Sequence, residues 1–240
     1  MNPQTKRLLT LGGLLFAFGA VVGIALATVS VWADLEANFY GFDKMTDRQY
    51  TGLRCPVLMS STEEGVVTAT FTNPAETPIE PLIRADFSSR LMLGEEREHL
   101  RMEPGETKSI SWTVTSENVD LRNFIFVKVF QYPASVLSPH EGVCGIVVLD
   151  FLGLKGNQTL ILGISASIIG MLAGLFLLER VSWQHRGQLP DFRRLRFFLV
   201  LVVLALVTGL SGRWLIGGFL LAAVILATIA ILGSLLLHER

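Results

Sequence analysis

"EGVCGIVVLDFLGLKGNQTLILGISASIIGMLAGLFLLER", residues 141–180, carries two kinds of order back to back. Within 143–150 the side chains of Cys144, Ile146 and Val148 share one parity, the period of two that belongs to a β-strand. From Leu160 to Leu178 the chain is apolar with no charge. A helix rises about 1.5 Å per residue, so roughly 20 such residues cross a hydrocarbon core about 30 Å thick. The predicted fold class is therefore a membrane α+β protein.

Composition agrees, since half the residues are hydrophobic, only 17% are charged and the mean hydropathy is +0.50. The apolar residues concentrate at Leu8–Trp32, Leu160–Leu178 and Phe197–Leu237. A single straight helix over the last segment would be about 60 Å long, so it must double back. "TGLSGRWL", 208–215, supplies the turn with Gly209, Gly212 and Arg213, giving helices Leu195–Leu210 and Trp214–Leu237. The expected layout is a cytoplasmic tip and first transmembrane helix at 1–33, an extracytoplasmic antiparallel β-sandwich at 34–157 and a second helix at 158–179. An Arg-rich cytoplasmic loop at 180–194 and helices three and four at 195–240, with an outer turn at 211–213, complete it.

Short loops that keep Lys and Arg mark the cytoplasmic side. Lys6 and Arg7 precede the first span, and Arg180, Arg186, Arg193, Arg194 and Arg196 fill the loop between the second and third. Both termini are thus expected in the cytoplasm of a cell at whose plasma membrane the chain resides. A competing reading of the first segment is a signal peptide cut after Ala33. Its apolar stretch of about 22 residues exceeds the roughly 7 to 15 of such a peptide, which favours an uncleaved anchor. The 34–157 block has eleven Lys and Arg against eighteen Asp and Glu, a net charge of −7. That charge argues against nucleic acid and against electrostatic docking on anionic headgroups.

Inside this block the period is two. "TKSISWTV" (107–114) alternates Ile110, Trp112 and Val114 with Ser109, Ser111 and Thr113; "VVTATFTN" alternates Val67, Ala69 and Phe71 with Thr68 and Thr70. "PLIRADFSS" sets Ile83, Ala85 and Phe87 opposite Arg84 and Asp86. With weaker strands at 54–60, 97–103, 123–131 and 143–150, and turns at "NPAETP", "EPGE" and "SPHEG", about seven strands are expected, the pattern of a β-sandwich. "VVTATFTNPAETPIEPLIRADF" followed by "RMEPGETKSISWTVT" resembles the immunoglobulin-like, CARDB-type sandwiches of bacterial cell-surface proteins. That resemblance implies a binding or spacer module. Trp112 does not lie midway between two cysteines, so the chain departs from antibody-type domains. The order of one helix, an outer β domain with two cysteines, then three helices is similar to claudin-like proteins, by topology alone.

Cys55 and Cys144 are the two cysteines, both on the outer side of this topology and both on core-facing parity. A disulfide is expected from compartment and number, with two buried free thiols as the alternative. No CxxC, HExxH or clustered Cys/His pattern accompanies them, so neither a metal ion nor a catalytic nucleophile is expected, and no cofactor. "GEEREH", with Glu95, Glu96, Glu98 and His99, reads as a solvated loop between strands, and "SPHEG" as a turn.

"NFIFVKVFQ" puts Ile125, Val127 and Val129 on one face and Phe124, Phe126 and Phe130 on the other. The phenylalanines are a candidate partner-facing patch unless they are buried beneath other parts of the chain. Gly19, Gly23 and Ala27, and Ala166, Gly170 and Gly174, repeat at four-residue spacing and suit close helix packing. No ionisable residue lies mid-span, which disfavours transport and intramembrane catalysis. The function expected is a non-catalytic structural or accessory subunit in the lipid bilayer, packing with other membrane proteins or with its own copies. The alternative is a membrane receptor or sensor whose sandwich binds a ligand.

Overall fold

A computed structural model describes residues 3–89, 94–134, 137–184 and 193–238, the side chains of 184 and 231–238 excepted. The chain divides into two compact units, Trp32–Thr159 and Met1–Val31 with Leu160–Arg240. Its helices are α1 (Pro3–Phe39), α2 (Gly156–Gln184), α3 (Arg193–Leu210) and α4 (Trp214–His238). Its strands are β1 (Leu53–Arg54), β2 (Leu58–Met59), β3 (Gly65–Thr72), β4 (Leu82–Phe87), β5 (Gly94–His99), β6 (Thr107–Val114), β7 (Phe124–Gln131) and β8 (His140–Val148).

In the first unit the strands make a three-stranded sheet, β1-β3-β6, and a five-stranded sheet, β2-β8-β7-β4-β5. The inward parities meet in one core, where Val67, Phe71, Ile83, Phe87, Ile110, Trp112, Ile125, Val127 and Ile146 are buried together. Phe87 and Trp112, from opposite sheets, meet edge to face with ring centroids 6.4 Å apart. The turn of "EPGE" is closed by Gly105 in the left-handed region, φ 71°, which costs glycine nothing.

Two expectations change. The strand expected over 54–60 is two short strands on different sheets: β1 pairs with β3, and β2 pairs with β8 in parallel, so the sandwich is not wholly antiparallel. Pro56 lies between them, with no N–H to continue a ladder, and the chain switches sheets there. "GEEREH" is not a loop but β5, the edge strand, paired with β4 from Leu82↔His99 to Phe87↔Gly94. Every residue of β5 is exposed. Charge along an edge blocks further strand addition, and the same charge hides the strand from a search for alternating apolar residues.

In the second unit, Gly212 (φ 71°) makes the turn between α3 and α4 at the expected place. Phe16, Ala27, Met171, Phe198, Val202, Leu206 and Val224 form its interior, with the rings of Phe16 and Phe198 6.2 Å apart. The outward surface is apolar as well: Leu14, Phe18, Ile169, Phe176, Phe219 and Leu226 are each more than half exposed. α1 and the Gly156–Trp183 stretch of α2 are long and apolar enough to cross a membrane, and Trp214–Ala230 is a shorter apolar stretch.

Glycine sets the approach of α1 to α2. A β-carbon on Gly19 would lie 2.5 Å from the Ser167 carbonyl oxygen and 2.6 Å from the Met171 nitrogen. One on Gly174 would lie 2.5 Å from the Phe16 nitrogen. Only residues without side chains permit backbones this close.

Candidate interaction site

The outer face of the five-stranded sheet is where Phe124, Phe126 and Phe130 lie. Phe126 and Phe130 are buried and Phe124 is half-buried, so the patch is not a free partner-facing surface. The chain covers it with the last turns of α1 and the segment that follows. Gly145 of β8 admits the backbone of Ala33, where any β-carbon would collide, and its N–H donates to Asp34 Oδ1 at 3.1 Å. The Tyr40 ring lies 4.6 Å from that of Phe126, and its hydroxyl donates to Asp120 Oδ2 at 2.6 Å. Burial, then the Asp120 hydrogen bond and charge, push the Tyr40 phenol up to about 12.

A buried cation secures the next stretch. Lys128 shares the parity of Phe126 and Phe130, is 3% exposed, and donates to the Asp43 carbonyl. Its ammonium pairs with Glu141 Oε2 at 3.4 Å, and the same oxygen accepts from the Met45 and Thr46 amides at 2.9 and 3.2 Å. Glu141 also exchanges backbone hydrogen bonds with Arg48 and Tyr50. Asp34, Tyr40, Lys128 and Gly145 were not singled out in the sequence; Glu141 was noticed only within "SPHEG", expected as a turn, whereas His140, Glu141 and Gly142 open β8. The one local signal was a lysine on the phenylalanine parity of an otherwise apolar strand.

Cys55 and Cys144 form a disulfide, Cα atoms 6.5 Å apart, tying the sheet-switching segment to β8. Both pack against the sandwich core, on the predicted parity. At the base of the unit, Glu63 Oε2 accepts from the amide of Gly156, the first residue of α2, at 2.7 Å and from Ser60 at 3.1 Å. Burial alone would raise this carboxyl, but the Gly156 and Ser60 amides and Lys155 together hold it below its ordinary value.

The outer face of β3 and β6 is different in kind. Thr68 faces Ser111, Thr70 faces Ser109 and Thr72 faces Thr107 in register, with hydroxyl pairs at 3.1, 2.9 and 2.9 Å. Among the described residues β6 has no strand on its outer side. It lacks the charge, proline or bulge that blunts an edge, apart from Lys108 near one end.

Lys6 and Arg7 lie in the first turns of α1, Arg180 in α2, and Arg193, Arg194 and Arg196 in the first turn of α3; Arg186 lies outside the described residues. Arg196 Nε meets Glu179 Oε1 at 2.6 Å. Of the two small-residue series, Gly19, Gly23, Gly170 and Gly174 line helix contacts inside the unit, with Gly23 set against Ser167 and α3. Ala27 is fully buried and faces Gly209. Ala166 is one position away from the seam, where Ser167 is buried. All of these positions except Ala166 thus pack helix against helix within the unit. Glu95 lies on one face of β5 with Glu96 and Glu98 on the other, since strand side chains alternate. Among the described residues no three His, Cys, Asp or Glu side chains converge as metal ligands.

No protein-family model matches the chain, and no curated protein matches it. Solved structures are similar to part of it, among them the following. The CARDB domain of a Pyrococcus furiosus protein, in complex with di-metal ions, is 10% identical over 45% of this chain and 98% of its own, with a TM-score of 0.33. A β-glucosidase of Erythrobacter marinus is 12% identical over 45% of this chain, TM-score 0.30, and a β-glucosidase of Listeria innocua in complex with glucose is 17% identical over 40%, TM-score 0.26. The chain spans only 18% and 16% of those two enzymes.

Proposed function

We propose that the chain is a four-span protein of the plasma membrane with both termini in the cytoplasm. Its sandwich, 34–157, stands outside the cell and binds a protein partner as a non-catalytic accessory subunit. The observation that carries the partner-binding reading is the open β6 edge beside a neutral Ser/Thr face. An exposed edge strand pairs with an added strand through main-chain hydrogen bonds, and neighbouring side chains set specificity.

The bundle's outward apolar residues favour lipid as its surroundings, because a water-facing bundle would carry polar residues there. The disulfide favours an oxidising compartment for the sandwich, and the Lys and Arg positions at helix ends favour cytoplasmic termini. In intact cells, reduced Cys55 and Cys144 should then react with an impermeant maleimide; labelling only after lysis would reverse the orientation.

Extraction in mild detergent followed by mass spectrometry tests partner binding. The natural chain should bring down a stoichiometric partner, and Ser109→Lys with Ser111→Lys should lose it while keeping the disulfide and thermal stability. A lone monomer from the natural chain, or an unchanged partner with the variant, would defeat the reading.

A further inference from the structure

Apolar side chains gather, exposed, at one end of the sandwich. Leu121, in the turn before β7, is 52% exposed, and Leu152, in the loop after β8, is 83% exposed, with Leu149 and Phe151 beside it. The two loops share an end because Val148 N–H donates to the Asn123 carbonyl at 2.7 Å and the Asn123 amide returns to the Val148 carbonyl at 3.2 Å.

Both leucines hold the left-handed backbone conformation, φ 42° at Leu121 and φ 51° at Leu152, which L side chains adopt at a cost and where glycine or asparagine is usual. The loops are nonetheless pinned. Asp120 Oδ1 accepts from the Leu121 amide at 2.7 Å, and Asp150 accepts from the Ser61 amide and hydroxyl at 2.8 and 2.6 Å. Two independent loops thus keep a leucine outward in a backbone state that disfavours it.

We propose that this end of the sandwich docks on the lipid interface, with Leu121, Leu149, Phe151 and Leu152 inserted among the headgroups. The inference rests on the reading of α2 as a membrane span. Chain continuity names the occupant: Gly156 opens α2 four residues after Leu152 and is packed against the Leu58 backbone in the same unit. Four extended residues reach at most about 14 Å, which keeps Leu152 near any membrane that α2 enters. Lys155 is set near Glu63, and the domain carries a net charge of −7, so the contact is apolar rather than electrostatic. It needs no anionic lipid.

The test uses the full chain reconstituted in phosphatidylcholine vesicles, with a nitroxide on Leu121→Cys, Leu152→Cys, Ile169→Cys or Glu96→Cys in turn, the native disulfide kept. Relaxation by lipid-soluble oxygen is compared with that by a water-soluble nickel chelate. The Leu121 and Leu152 labels should favour oxygen severalfold over the exposed Glu96 label. Lipid contact at Leu152 alone would overturn the docking, since Leu152 is tethered to α2 and Leu121 is not. Labels at 121 shielded from both reagents would overturn it in favour of a second copy. An Ile169 label outside lipid would instead remove the membrane reading on which the inference rests.

Discussion

The amide of Gly145 donates to Asp34, and the Ala33 backbone occupies the space where a side chain at 145 would stand. One missing β-carbon therefore lets the end of α1 cover the phenylalanine face of β7. Gly145→Ala should force the two apart, at about 1–3 kcal/mol for a core that cannot absorb a methyl group. Thermal unfolding of the detergent-solubilised protein should show the loss, with Phe126 becoming accessible to solvent probes.

Lys128 and Glu141 should behave as a unit. Glu141→Gln leaves the buried ammonium without its counter-charge and should cost about 3–5 kcal/mol, whereas Lys128→Met with Glu141→Leu should cost much less. Faster proteolysis within 40–49 in the single variant than in the double would show that the pair holds this segment down.

The Glu63 carboxyl gives a pH dependence with a defined sign. Its folded pKa lies below the ordinary glutamate value, so it stabilises the fold above that value and loses the contribution as pH falls through the lowered one. Unfolding followed from pH 7 to pH 3 should show Glu63→Gln less stable by about 1 kcal/mol at neutral pH, with the difference vanishing in acid.

Removing the bridge should be the larger effect. Cys55 and Cys144 are 89 residues apart, and closing such a loop stabilises by about 4–5 kcal/mol in the chain-entropy model. Denaturation with and without reductant measures it, and Cys55→Ser with Cys144→Ser should match the reduced natural protein.

Within the helical unit, two neighbouring glycines should respond differently. Gly19→Leu must separate α1 from α2 and should unfold the bundle at lower temperature, while Gly13→Ala meets nothing within 4 Å and should be near neutral.

Much of the local order was legible in the residues. The parities of β3, β4, β6, β7 and β8 and the Gly212 turn follow from short-range periodicity, which needs no knowledge of neighbours. The β5 edge was only partly legible: a weak strand was expected over 97–103 and the strand is Gly94–His99, because its charges protect an edge that exists only once β4 lies beside it. The Phe124 face and the glycine seams were legible as sticky surfaces, but what covers them was not.

By itself the sequence determined that this chain would be apolar helices around a two-faced β domain with a pair of cysteines on matching parity, since burial patterns are written into each segment. Tertiary structure alone decided that the cysteines meet, that α1 reaches over β7 and that the small-residue seams close on each other. Those are contacts between residues far apart in the chain, and no single segment carries the information about which distant surface will satisfy it.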